Sequence, residues 1–429
     1  MSFTADKQTL DDLNLLGKYK PYAIYSLFNK VKTTGGERLL ENMFRQPLSD
    51  PEEINGRSGM FQYFGHKALD LPFDKEQLAL AEDYLGGDGG NLLATTAGAM
   101  RKKLSGILTR DEAYGMLQTG VETVIIVLKS LSGLLDALEE DGPFGVSVCR
   151  LKEIVADRRL APAPLSLRRL AVFDHLFRKV LRREMTQVLE GIYQLDVYLA
   201  VSKVAREKGF SYARALPRED MVLRASALRH PGIDRAVANP ISLHAESNML
   251  FLTGANMAGK STFMKSFGIA VYMAHLGFPV AAADMVFSVR DGIYSSINVP
   301  DNLHLGYSHF YAEVLRVKTV AEEVSAGKDL VVIFDELFKG TNVKDAYDAT
   351  LAVTEALSEY RNCLFVISTH IIEVGEDLRR KRDNVQFAYL PTVMEGMIPR
   401  YTYKMEQGIT SDRHGMLIIE NEKILDILI

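Results

Sequence analysis

The 429-residue sequence has no tryptophan and only two cysteines, Cys149 and Cys363. Cys363 falls inside an apolar run, so the pair offers no disulfide framework, and a reducing, cytoplasmic setting fits. Long apolar runs are also missing. None approaches the ~18–20 residues of a membrane span. The opening MSFTADKQTLDDL has no basic-then-apolar leader pattern, so no membrane partner is expected. A dominant charge sign is lacking as well: charged residues make up 24% of the chain, with a formal net charge of −5. That balance gives no global pull toward polyanions. The absence of tryptophan excludes no class by itself. Hydrophobic residues, at 47%, are plentiful enough for two or three cored domains.

Charge is uneven along the chain. Residues 150–235 hold 18 Lys/Arg against 10 Asp/Glu, a net of +8. Most of the excess comes from the doublets Arg158-Arg159, Arg168-Arg169, Arg178-Lys179 and Arg182-Arg183. Such doublets fit either a basic helical face for phosphate contacts or an ordinary solvated helix surface.

Residues 8–230 read as mostly helical. GERLLENMFRQ (36–46) places Leu39, Leu40, Met43 and Phe44 on one face, and Pro47 with Asp50-Pro51 stops it. Residues 165–204 are amphipathic, with Leu170, Phe173, Leu176, Phe177, Val180 and Leu181 at helical spacing. Breaks are expected at 86–90, 141–143 and 161–164. From about 221 onward, short apolar runs alternate with helices, the pattern of an α/β domain with a largely parallel sheet.

Three of those runs end in reactive groups. Residues 249–262 read MLFLTGANMAGKST, an apolar run meeting the spacing G-x-x-x-x-G-K-S. This is a phosphate-binding loop. Gly254 and Gly259 allow backbone conformations that turn N–H groups onto phosphate oxygens, helped by the N-terminus of the helix that follows. Ala255, Asn256, Met257, Ala258 and Thr262 complete the loop. Lys260 places a cation on the β and γ phosphates, and the Ser261 hydroxyl reaches Mg2+. Residues 330–334 form a second run, ending in Asp335-Glu336. Asp335 at such a strand end can bind Mg2+, and Glu336 can deprotonate an attacking water. The third run, 363–367, ends in Ser368-Thr369-His370; His370 there can bond a γ-phosphate, or simply open a capped helix.

These residues resemble the MutS family of DNA mismatch-repair ATPases. TGANMAGKST is similar to that family's TGPNMGGKST, with Ala255 and Ala258 as departures. DELFKGTN resembles DELGRGTST, and STH resembles its THY/THF segment. NLHLGYSHFYAE (302–313) resembles the signature segment, matching at Ser308, Phe310 and Glu313. RHPGIDRAVANPISL resembles the run that opens the ATPase domain, and GERLLENMFRQPLSDPEEINGR the start of the helical core. The ending QGITSDRHGMLIIENEKILDIL resembles the dimerising tail, cut short.

The resemblance implies an α + α/β fold. A helical core domain with shortened levers would span 1–220. An ABC-like P-loop ATPase domain with short C-terminal dimerisation helices would span 221–429. It implies ATP and Mg2+ as ligands and a homodimer in which Ser308 acts in trans on the partner's γ-phosphate. The family stacks adenine between a Phe and a His. Here Ala236 and Tyr403 take those places, so Tyr403 is expected to carry the base with apolar contact from Val237 and Ile241. Alternatively, Tyr403 alternates with Tyr401 and Met405 on a half-buried strand. The family's mismatch reader is a Phe-x-Glu, and the only one here is Phe334–Glu336. DNA binding is therefore expected without mismatch preference. A nucleotide-gated protein switch that does not bind DNA is the alternative function. A small-molecule kinase lacks an acceptor motif and leaves the signature segment unexplained.

Overall fold

A computed structural model describes residues 3–17, 22–87, 112–157, 166–297, 309–395, 398–410 and 427. Ser308, Arg158-Arg159, the break at 161–164 and the 411–426 tail lie outside these residues. The chain divides into two compact units: Met1–Leu27, Phe44–Ser58 and Ala205–Ile429 in one, Phe28–Met43 and Gly59–Val204 in the other.

The second unit is helical. Its long helices are Lys75–Gly86, Glu112–Asp136, Gly145–Val155 and, as far as Val204, Arg182–Lys208. In Glu112–Asp136, Val121, Val124, Leu128, Leu131 and Leu135 recur at three- and four-residue spacing and are all buried. Residues 115–136 are long and apolar enough to cross a membrane, yet this stripe belongs to the unit's own core. The Phe64 and Tyr198 rings stack there, with centroids 5.5 Å apart. The amphipathic stretch after 165 is not one continuous helix. Helix Leu167–His175 runs into a turn at Leu176–Val180, closed by an i→i−5 bond from Leu181 N–H to Leu176 O at 2.8 Å. The extra residue rotates the face. Leu170, Phe173, Leu176, Phe177 and Leu181 stay buried, while Val180, expected on the same stripe, is 49% exposed.

The first unit is built on a seven-stranded sheet. Its strands are β1 (Thr4–Ala5), β2 (Met249–Gly254), β3 (Gly292–Ser296), β4 (Leu330–Asp335), β5 (Leu364–Ser368), β6 (Val385–Leu390) and β7 (Glu406–Gln407). The spatial order is β1-β3-β4-β5-β2-β6-β7, and every neighbouring pair is parallel except β6–β7. The three continuous apolar runs are thus adjacent strands, β4-β5-β2. Val331, Val332, Ile333, Phe365, Val366, Phe251 and Leu252 are all fully buried, which is why the runs do not alternate. Helices Lys260–His275, His309–Ser325, Val343–Ser358 and Ile372–Lys381 follow or connect these strands. A four-stranded sheet of Arg214–Leu216, Asp284–Ser288, Val222–Leu228 and Asn239–His244, in that spatial order, lies in the same unit.

Residues 3–12 join this sheet rather than a helical domain. Thr4 and Ala5 pair with Gly292 and Ile293. Asp6 caps helix Lys7–Asp12, its Oδ1 accepting from Thr9 N–H at 3.0 Å. The Arg316 guanidinium bonds Asp6 and reaches Thr9 Oγ1 at 3.2 Å, with its Nε donating to Ser295 O at 3.0 Å. Asp12 accepts from Ser295 Oγ and Ile297 N–H at 2.8 and 2.9 Å.

Candidate active site

In a parallel sheet, ligands collect at the carboxyl ends of the strands. The order β4-β5-β2 puts three such ends side by side: Asp335-Glu336, Ser368-Thr369-His370 and the glycine loop.

The loop after β2 has the backbone that its glycines permit. Gly254 has φ +144° and Gly259 φ +104°. A Cβ on Gly254 would stand 3.0 Å from Leu390 O, and one on Gly259 would stand 3.0 Å from a Tyr403 ring carbon. Met257 also takes positive φ, +68°, and is exposed. Ala258 is buried and its N–H returns to Ala255 O at 3.3 Å. Helix Lys260–His275 starts directly after Gly259, with Ser261 and Thr262 in its first turn.

Lys260 is buried, and its ammonium donates to Gly254 O at 2.8 Å and Ala255 O at 3.2 Å. Burial pushes its pKa down, opposed by the nearby Glu336 and Asp335 carboxylates. Glu336 Oε1 lies 3.8 Å from Lys260 Nζ and 2.9 Å from His370 Nε2. The His370 hydrogen bond holds the Glu336 carboxyl below its ordinary range; burial opposes this, and Lys260 and Lys339 add to it. Lys260, Asp335, Glu336 and His370 therefore meet in one place. Ser261 stands in the first turn after Lys260, as a metal-reaching hydroxyl requires.

Glu336 has φ +56°, a left-handed conformation uncommon for a side chain of this size. Its N–H bonds Ser368 O at 3.0 Å and lies 3.3 Å from Ser368 Oγ. Ser368 is fully buried, pairs in register with Asp335, and donates its hydroxyl to Asp335 Oδ1. Sequence reasoning passed over Ser368. The available signal was a hydroxyl at the last position of a buried strand, one residue before Thr369-His370. Thr369 uses its own hydroxyl to accept from Ile371 N–H at 3.1 Å, and the helix that follows begins at Ile372.

Beside the loop is a cleft of about 410 Å³, lined in part by Ala236, Val237, Asn239, Gly259, Thr262 and Tyr403. Tyr403 is not on a strand. The hairpin strand Ile398–Tyr401 ends two residues earlier, and Tyr403 has φ +55°. Asn239 fixes this turn from both sides. Its Nδ2 donates to Tyr403 O at 2.9 Å, and its Oδ1 accepts from Met405 N–H at 2.7 Å. Val237 shares the cleft; Ile241 does not. Two residues further along Asn239–His244, Ile241 is buried opposite Ala225 and lines a separate cleft with Arg224 and Phe387.

Comparisons with known proteins agree on one family. Residues 250–426 match a family model described as MutS domain V. The chain is 30% identical over 258 residues to the DNA mismatch repair protein MutS of Petrotoga mobilis (strain DSM 10674 / SJ95). The match covers 58% of this chain and 30% of that protein, so the chain spans about a third of that relative's length. The glycine loop, Asp335-Glu336 and His370 all fall inside the matched stretch, over which the chain is similar to the MutS family.

Proposed function

We propose that the chain binds ATP with Mg2+ in the 254–262 loop and hydrolyses it as a dimeric, DNA-associated ATPase. The observation that carries this is the meeting of Lys260, Glu336 and His370 at one sheet end, with Asp335 beside them. In this reading the ammonium of Lys260 turns from the loop carbonyls to the β and γ phosphates. Ser261 and Asp335 hold the metal ion. Among the described residues no group of three His, Cys, Asp or Glu side chains could cage a metal alone, so phosphate oxygens are needed as further ligands. When bound, Mg2+ neutralises charge on the phosphate oxygens. Glu336 takes a proton from water as the water oxygen bonds the γ phosphorus and the bond to the ADP oxygen breaks. His370 orients Glu336 and bonds the γ-phosphate. Tyr403 stacks on the base, with Val237 beside it.

Ser308 would complete the partner's site in trans within an ABC-like homodimer. DNA contact would rest on the helical unit, where Arg168, Arg169, Lys179, Arg182 and Arg183 are exposed. Arg178 is committed instead to Asp174 at 3.3 Å and to Gly87 O. Such binding would be driven by backbone phosphates and would show no mismatch preference for this chain, which has no Phe-x-Glu outside its ATPase motif. A nucleotide-gated protein switch that binds ATP without turnover would have no use for a carboxylate 2.9 Å from His370 at this position. The test is phosphate release by the purified chain with ATP and Mg2+, alongside duplex binding at several salt concentrations. ATP binding without release would favour the switch, and salt-insensitive or absent duplex binding would remove the DNA part.

A further inference from the structure

We propose that Ser368 is the positioning residue for both acidic groups of the site. It aims one oxygen of Asp335 at the metal position and holds Glu336 in its left-handed turn; the inference rests on the Mg2+-dependent ATPase reading above. A serine hydroxyl has one proton to give and two lone pairs to accept with. Here the proton goes to Asp335 Oδ1. Among the described residues Asp335 Oδ2 has no hydrogen-bond partner, so it is the oxygen left for a cation. A lone pair faces Glu336 N–H at 3.3 Å, and the carbonyl of the same serine takes that N–H at 3.0 Å. One residue thus grips the side chain of Asp335 and the backbone of Glu336. It does so from a fully buried position fixed by strand register. Two residues on, His370 grips the Glu336 carboxylate. The β5 exit therefore sets the rotation of one carboxylate, the backbone of the next residue, and the direction of its side chain.

Ser368→Ala removes the hydroxyl and leaves the backbone bond. Partners of metal ligands typically change metal affinity or activity 10–100-fold when removed. The experiment uses the full chain. ATP affinity is measured by displacement of a fluorescent ATP analogue across a Mg2+ titration, with steady-state phosphate release in parallel. Ser368→Ala is expected to keep Mg2+-free ATP affinity within about twofold while raising the Mg2+ half-saturation about tenfold and lowering kcat about tenfold. Ser368→Thr should restore both. A merely structural serine would lower melting temperature without moving the Mg2+ half-saturation. Unchanged half-saturation and kcat in Ser368→Ala would overturn the proposal. Should that variant lose its cooperative melt, Ser368→Cys keeps the volume, weakens the donor, and must show the same Mg2+ shift. If the unmodified chain binds Mg2+-ATP without turnover, hydrolysis fails as a reading and the Mg2+ half-saturation alone decides Ser368. If it shows no Mg2+-dependent nucleotide affinity, both are overturned.

Discussion

His370 Nε2 stands 2.9 Å from the Glu336 carboxylate, and that contact holds the carboxyl's pKa below its ordinary 4.5. An ionised carboxylate beside the phosphate loop is the state a general base requires. Glu336→Ala is expected to keep ATP binding within about threefold and to lower turnover by about 100-fold or more. Phosphate release and nucleotide binding on the same preparation check it. Retained turnover would remove Glu336 as the base.

Lys260→Ala removes the one cation that the loop buries against Gly254 O and Ala255 O. ATP affinity is expected to fall about 100-fold or more, ~2.7 kcal/mol by the affinity relation. Mixing this variant with Ser308→Ala tests the shared site. A mixed dimer would hold one site with both groups intact, so partial activity should return. Mixed and separate samples that stay equally inactive under subunit exchange would defeat action in trans.

Much of this site was legible because its parts are local. The loop, Asp335-Glu336 and His370 each end a continuous apolar run, and buried parallel strands need little more than such runs to be read. Adjacency was not legible. Only strand order makes β4, β5 and β2 neighbours, and only register sets Ser368 against Asp335. Thr4–Ala5 is too short to show a pattern, and its partner strand begins at Gly292, far along the chain. Positive φ at Glu336 and Tyr403 has no composition signal, since neither is glycine. The turn at 176–180 changes the helical phase by one residue, which periodicity over 165–204 averages away.

The clasp between residues 3–12 and helix His309–Ser325 predicts an acid-sensitive contribution to stability. Burial raises the pKa of Asp6, but the Arg316 and Thr9 hydrogen bonds outweigh it, and the net shift is downward from 3.8. A carboxyl with a lowered folded-state pKa stabilises above its unfolded pKa, and that stabilisation is lost as pH falls through the folded value. Asp6→Asn should therefore cost about 1–2 kcal/mol at pH 7, discounted for partial exposure. The gap from the unmodified chain should narrow below about pH 4. Urea unfolding midpoints at pH 7 and below 4 measure it. A gap independent of pH would show that the Asp6 charge is not what stabilises the clasp.

Tyr403 is the exposed aromatic ring of the cleft beside the phosphate loop, whose lining also includes His230 and the buried Phe263. Tyr403 lies against Gly259 in a left-handed turn that Asn239 fixes on both sides, and Ala236 and Val237 line the same cleft. Stacking on Tyr403 reads the π surface common to all bases and little of their edges. GTP is therefore expected to compete with ATP within about tenfold. Tyr403→Ala should weaken ATP about tenfold, ~1.4 kcal/mol, and weaken GTP by a similar factor. Asn239→Ala should reproduce part of this loss, because it frees the Tyr403 backbone without touching the base. Titration of both nucleotides on the folded variants decides between a stacking platform and simple packing. Unchanged affinities in Tyr403→Ala would leave the ring as a cover for Gly259. A loss for ATP alone would mean that edge contacts select the base.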